Sequence, residues 1–295
     1  MILAPLRGVT IRCFRETFAE EIRAAGFTEA ITPFVTANAG YDPMKDRELR
    51  KCSNVRMLEC SNADRIKITP QFIGKDPEAL RTCLEKVKTA GFDTADLNCG
   101  CPFPMVRNKG RGSGILRTPD ILRLMLEVGC DVMGAGKFSI KARLGVDRSD
   151  ELLKLMPMIN EFPLRFLTVH ARTARQMYGG SCEVEKLREV EKVAKVPIVI
   201  NGDIPFPVPR SLFPVPSRLM IGRSFVRWLG SREDSDELLN RYIAASQAEL
   251  CGDRPVLGRM KELIAYWKDL PQWRRRWNVI KICRTVDELK YGIMA

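Results

Sequence analysis

Histidine is almost missing from this chain: of 295 residues only His170 is one. Zinc sites that mix cysteine and histidine therefore have almost nothing to draw on. Cysteine is plentiful at ten. Yet no pair two residues apart is matched by a second such pair, so the spacings fit no zinc pattern, and no metal is expected. Long apolar runs are missing too. None approaches the ~18 residues that span a bilayer, so no membrane partner is expected. The opening MILAPLRG has no basic stretch leading into a long apolar one and does not read as a signal peptide. Without export, the cysteines are expected to stay reduced, mostly as buried thiols, in a cytoplasmic protein. Acid is the scarcer charge: 36 Asp and Glu against 48 Lys and Arg leave a net charge of +12. That balance points to a polyanionic partner, nucleic acid first. A composition of 45% hydrophobic and 28% charged residues excludes disordered and fibrous classes.

Short apolar runs alternate with longer amphipathic ones. ILAPL (Ile2–Leu6) reads as a strand, and Thr10 as the cap of a helix over IRCFRETFAEEIRAAG that ends at Gly26. AITPFV (Ala30–Val35) is a second strand, followed by a polar, cysteine-containing excursion to about Arg65. IKITPQFIG (Ile66–Gly74) is the third, and Asp76-Pro77 opens a helix that Gly91 stops. TADLNCG, FSIKARLG (Phe138–Gly145), RFLTVHAR (Arg165–Arg172), PIVING (Pro197–Gly202) and RLMIGRS (Arg218–Ser224) complete eight strands, with helices between them. Eight such alternations predict an α/β fold, a TIM (β/α)8 barrel. One connection is odd. Between the last two strands, DIPFPVPRSLFPVPS carries five prolines and cannot hold a regular helix. From Ser231 onward only helical spacing remains. The predicted layout is a barrel over residues 1–230 and a smaller all-helical domain over 231–295.

A TIM barrel builds its active site at the C-terminal ends of its strands. Polar residues recur there: Pro5-Leu6-Arg7, Gln71, Asn98 to Pro102, Lys141 and Arg143, His170 to Thr173, Asn201-Gly202-Asp203, Gly222-Arg223-Ser224. Singly each has a plain reading: Asn-Gly is a turn, Gly-Arg-Ser a helix start. Jointly, a Lys and a His inside apolar strands need partners or a ligand. Small residues after the last two strands suit a phosphate, and Arg223 adds a bidentate donor. Gln71 and Lys141 then suit the electron-rich end of a reduced flavin. The two cysteines of DLNCGCP (Asp96–Pro102) are open to metal, disulfide, packing or chemical roles at this point.

Taken together, ILAPLRGVT, PQFIG, DLNCGCP, SIKARLG, VHART, VINGDI and MIGRS resemble, in order and spacing, the tRNA-dihydrouridine synthases, from Ile2 to about Phe225. The helical tail, with GRMKELIAYW, is similar to the C-type bacterial branch, whose target is uridine 16 of tRNA. The resemblance implies an FMN-dependent oxidoreductase that saturates the uridine 5,6 double bond, with NADPH as reductant. It assigns Cys101 as the proton donor and Cys99 to packing. Pro5, Leu6, Arg7, Gln71, Lys141, His170, Asn201, Gly202, Asp203, Gly222 and Arg223 would contact FMN. Asn98 and Arg143 would hold the flipped uridine, and Arg259 and Lys261 of the tail would meet tRNA. RNKGRG (Arg107–Gly112) and WRRRW (Trp273–Trp277) are further candidate phosphate contacts, or else solvated charged loops. A monomer is expected.

The chain departs from the family pattern in four places. Leu6 and Arg7 stand where relatives often carry Met and an acid, and Ala171 where they usually carry Gly. NKGRGSGIL replaces a segment richer in glycine and alanine, and Pro205 to Pro216 replaces a helix. None removes a catalytic residue, so activity is expected. A small-molecule flavin reductase would share the phosphate loops but gives no reason for the net charge of +12 or the tail. A non-catalytic RNA-binding barrel gives no reason for Cys101, Lys141 and His170.

Overall fold

The computed structural model describes residues 1–46, 48–49, 66–209 and 218–294. Much of the polar excursion (47 and 50–65) and the second half of the proline-rich segment (210–217) lie outside the described residues.

Parallel strands alternate with helices along the chain. The strands are β1 (Ile2–Leu3), β2 (Glu29–Ile31, continued by Val35–Thr36), β3 (Lys67–Thr69, continued by Gln71–Ile73), β4 (Ala95–Cys99), β5 (Phe138–Gly145), β6 (Leu167–Thr173), β7 (Ile198–Asn201) and β8 (Arg218–Ile221). Pro33 and Pro70 interrupt β2 and β3, because proline brings no N–H to a ladder. The pairing nevertheless runs in a ring. First pieces of β2 and β3 pair, second pieces pair, β1 joins β2 to β8, and β3 joins β4. The ten strand pieces therefore occupy eight positions of a TIM barrel.

Side chains alternate across each strand. Phe138, Ile140, Ala142 and Leu144 of β5, and Leu167, Val169 and Ala171 of β6, join the large core shared with the helices. Their neighbours Ser139, Lys141, Arg143, His170 and Arg172 occupy the other face, inside the barrel. Ile2, Ala4, Ile31, Phe166, Val199 and Met220 form a small separate apolar cluster there. The sequence motifs are thus the inward half of each strand.

A side-chain cap explains one helix start. Asp76 accepts from the N–H groups of Glu78 and Ala79 at the start of the Pro77–Thr89 helix, as expected. Thr10 does something else. The first helical residue is Arg12, and the predicted single helix is two, Arg12–Thr17 and Ala19–Ala24. Thr10 Oγ1 instead accepts from Leu6 N at 2.7 Å and donates to Ala4 O at 2.9 Å, tying down the loop after β1. Among the described residues after β7, Phe206 packs on Phe27, Phe225 and Trp228.

The tail carries four helices, Ser235–Glu249, Asp253–Ile264, Pro271–Ile280 and Val286–Met294. Their apolar faces share the barrel's outer core. Tyr242 packs on Phe14 of the first barrel helix and on Phe18 at its end. Trp267 Nε1 donates to Val226 O at 2.7 Å, and Trp273 Nε1 to Gly230 O at 2.9 Å. A Cβ on Gly230 would lie 2.3 Å from the Trp267 ring, so only glycine admits this close approach. Among the described residues no helix is long and apolar enough to cross a membrane.

Candidate active site

The strand register sets the site. Asn98 of β4 pairs with Lys141 of β5, Arg143 with His170 of β6, His170 with Asn201 of β7, and Asn201 with Met220 of β8. Four strands thereby bring their inward polar residues to one level near the C-terminal mouth.

A buried polar chain climbs to Cys101 from below. Ser139 Oγ donates to Asp96 Oδ1 at 2.6 Å, and Gln71 Nε2 donates to Asp96 Oδ2 at 2.8 Å. Two donors on one carboxylate require Gln71 to turn its oxygen upward, where it accepts from Asn98 Nδ2 at 2.9 Å. Asn98 Oδ1 must then face the loop, and it accepts from Gly100 N at 3.1 Å and Cys101 N at 2.8 Å. Burial raises the Asp96 carboxyl to about 6, which leaves it ionised at neutral pH. Asn98 and Gln71, expected to touch uridine and flavin, thus commit both ends of their amides to the protein.

Cys101 sits just past β4 and is 8% exposed. Its carbonyl accepts from Ser113 N at 3.1 Å and Ser113 Oγ at 2.9 Å. Gly112 folds back over it at φ +57, where a Cβ would lie 2.7 Å from Cys101 Cβ. Burial pushes the thiol's pKa up against the pull of Arg143, Arg7 and Lys141, so it stays protonated at neutral pH. Cys99 lies in the helix-facing core and is buried. The two cysteines have different surroundings because one is still in the strand and the other is not.

Arg143 braces the loop from the next strand. It donates to Gly100 O at 2.9 Å, Thr173 O at 2.8 Å and Met177 O at 2.7 Å. Burial brings its pKa down to about 10. Tyr178 lies beside it: the ring is 5.4 Å from the Arg143 guanidinium, 4.8 Å from that of Arg223, and 45% exposed. A partly exposed aromatic ring next to two cations suits contact with a planar ring. Nothing in the sequence singled out this loop residue.

Lys141 donates to Asn201 Oδ1 at 2.9 Å, and Asn201 Nδ2 donates to Met220 O at 2.8 Å, linking β5, β7 and β8. Burial, helped by Arg143, lowers Lys141 to about 8. Burial and four nearby cations hold His170 well below its usual range, so its ring is neutral. Arg172 donates to Asp203, to Gly179 O and Gly180 O and to Cys182. Arg223 donates to the same Asp203 at 2.6 Å. Asp203 reaches both from a left-handed backbone, φ 44. Gly222 follows β8 where a Cβ would be 3.0 Å from Ala4 and 3.3 Å from Leu6, so the ends of β1 and β8 meet there. Arg7 extends over the Phe34 ring at 5.5 Å. The Ala171 methyl is absorbed in the helix-facing core. The residue that signals most in retrospect is Arg172, in phase with His170 on an inward face.

The tail residues need correction. Arg259 is 7% exposed and is spent on Glu249 at 2.9 Å and Ser246 Oγ at 3.2 Å. Lys261 Nζ donates to Cys283 O at 2.7 Å, inside the tail. Arg259 lies on the buried helix face, whereas Lys261 is half-buried with its ammonium held on a carbonyl of the tail. In WRRRW, Trp273 is buried and Arg276 pairs with Asp236, which leaves Arg274 and Arg275 exposed.

Comparison with known proteins agrees with this geometry. The family model for dihydrouridine synthase (Dus) matches residues 2–208. Curated relatives include tRNA-dihydrouridine synthase B of Vibrio vulnificus, 26% identical over 208 residues, covering 70% of this chain and 61% of that protein. The corresponding Pseudomonas aeruginosa protein is 27% identical, covering 70% of this chain and 59% of its own. The match thus spans about three-fifths of these relatives' length. Among solved structures, an old yellow enzyme homologue from Zymomonas mobilis superposes with TM-score 0.58 at 13% identity, covering 77% of this chain and 85% of that one. Morphinone reductase superposes with TM-score 0.53 at 11% identity, covering 77% and 82%. These two share the fold. With its family match reaching from β1 through β7 and the motif residues gathered at the barrel mouth, the chain belongs to the dihydrouridine synthase family.

Proposed function

We propose that this chain reduces the 5,6 double bond of a uridine in the D-loop of tRNA, with FMN bound in the barrel mouth and NADPH as reductant. The observation that carries the reading is Cys101, a thiol kept protonated by burial and fixed by Asn98 and Ser113 at that mouth.

The residues fit a flavin phosphate and ring. Arg223 and the first turn of the Arg223–Ser231 helix, which has no side-chain cap, suit the phosphate. Gly202 lets Cys182 and His170 close in, and Gly222 lets Ala4 and Leu6 do so, which packs the wall of that site. Lys141, with one acceptor in Asn201, has donors left to offset charge at the pyrimidine end. Neutral His170, Asp203 and the Pro5-Leu6-Arg7 loop line the remainder, and Gln71 acts from below through Asn98 and Asp96. When bound and reduced, FMN supplies a hydride to uracil carbon 6.

The protein's part is to deliver and orient. The base must leave its stack to be reached. The half-exposed Tyr178 ring, with the cations of Arg143 and Arg223 beside it, receives it. Cys101 gives its proton to carbon 5 as negative charge develops there, and regains one from solvent. Arg143, fixed by three carbonyls, steadies the thiolate left behind. The basic surface, including Lys109, Arg274 and Arg275, grips phosphates without reading sequence. In this reading residues 1–230 carry FMN and catalysis, and 231–295 face tRNA in a monomeric, cytoplasmic enzyme. The relatives named above are of the B type, so uridine 16 as target rests on the GRMKELIAYW tail alone.

The test is to load the protein with FMN, add NADPH and unmodified tRNA, and map dihydrouridine by mass spectrometry. Dihydrouridine at one D-loop position is expected. NADPH oxidation that leaves every tRNA uridine unreduced would sink the reading.

A further inference from the structure

Two large apolar side chains beside Cys101 are used neither by the fold nor by the chemistry above. Phe103 is 45% and Met105 74% exposed, two and four residues after the thiol. Their loop is stiff. Pro102 and Pro104 restrict its start. Val106 N and Arg107 N both donate to Phe103 O at 2.9 Å, and Gly114 N donates to Arg111 O at 3.0 Å. A Cβ on Gly114 would lie 2.2 Å from Arg107 O, so the two limbs of the loop touch. Cations lie on and against the same loop. Lys109 is exposed, Arg111 reaches Asn38 at 3.2 Å, and Lys75 lies against Gly110.

We propose that Phe103 and Met105 form a wedge that enters the base stack of one RNA strand beside the uridine presented to Cys101. This rests on the function proposed above. Apolar wedges of Phe and Met separate base steps when they are held rigidly and the flanking phosphates are gripped by cations. Here the wedge is anchored to the same loop as the proton donor, so insertion and delivery of the base are coupled in space. The loop's cations favour a polyanion over a second copy of a chain that itself carries +12.

The test compares the wild type with the Phe103→Ser/Met105→Ser variant. Both side chains are exposed, so folding and FMN binding are expected to persist. The probe is an unmodified tRNA transcript with 2-aminopurine next to a D-loop uridine. The wild type should raise 2-aminopurine fluorescence on binding. The variant should bind ~10-fold more weakly and raise it little, and Phe103→Trp/Met105→Leu should restore both. Equal affinity and equal fluorescence rise in the serine variant would overturn the wedge alone. So would a wild-type dimer in sedimentation that the variant abolishes, which would make this face a self-interface. A wild type that leaves tRNA unbound overturns the proposed function and the wedge with it.

Discussion

Replacing Asn98 by alanine separates two roles that the residue type alone cannot. If the amide serves a bound uridine, its loss weakens tRNA binding and leaves the protein's stability unchanged. The structure assigns it to the Cys101 loop. Asn98→Ala removes two acceptor contacts, to Gly100 N and Cys101 N, and one donor contact, to Gln71 Oε1. Each buried polar group left unpaired costs ~1–3 kcal/mol. Three such groups cost about 3 kcal/mol even at the low end of that range. The loop should also loosen and expose the thiol, and its raised pKa should fall back toward the ordinary ~8.5. Two assays read this out. Urea unfolding gives the stability loss. Thiol titration with Ellman's reagent across pH gives Cys101 reactivity in a Cys52→Ser/Cys60→Ser/Cys251→Ser background, which removes the one thiol exposed among the described residues and the two outside them. Faster labelling and a lower titration midpoint are expected. A variant within ~0.5 kcal/mol of wild type, with an unchanged thiol profile, would refute the loop-holding role.

Three further outcomes follow from the same geometry. The Asp96 carboxyl is raised to about 6, so the folded protein holds its proton more tightly than the unfolded chain. Its contribution to stability is fully present below about pH 4 and lost as pH rises to about 6, roughly 3 kcal/mol in all. Asp96→Asn should therefore gain on wild type by that amount between pH 4 and 7 in urea titrations. A pH-independent difference would contradict it. Gly112→Ala adds a Cβ 2.7 Å from Cys101 Cβ at φ +57. It should displace the thiol and lower turnover on the order of 10²-fold, while leaving FMN affinity intact in a fluorescence titration. Arg259→Ala leaves Glu249 with Arg12 as its remaining ion-pair partner. With that partner kept, it should cost ~1–3 kcal/mol of stability, measured by urea unfolding. A change in tRNA affinity with no loss of stability would restore Arg259 as a contact.

The barrel was legible because strand patterning is a local signal. The alternation Ser139, Lys141, Arg143 against Phe138, Ile140, Ala142, Leu144 already states which side chains face inward. Cys101 and Cys99 were told apart in role only through the family resemblance; in the structure β4 ends at Cys99, which leaves Cys101 past the strand. What stayed hidden needed partners distant in sequence. Asn98 is committed through Gln71, 27 residues earlier, and that pairing exists only once β3 and β4 are in register. Arg259 reads as a surface cation until the partly buried carboxylate of Glu249 is placed beside it. Thr10 has the composition of a cap, but the turn after β1 delays the helix to Arg12 and leaves the hydroxyl to the loop. Tyr178 stands in a loop, where no periodicity marks a side chain.

The most direct test of the central claim is anaerobic. Wild type and Cys101→Ala, both loaded with FMN and reduced with NADPH, are mixed with unmodified tRNA, and flavin absorbance near ~450 nm is followed. The wild type should recover its absorbance as dihydrouridine forms. Cys101→Ala should bind flavin and tRNA as tightly but recover ~10²–10⁴-fold more slowly. Recovery at the wild-type rate in Cys101→Ala, with dihydrouridine formed, would contradict Cys101 as the proton donor.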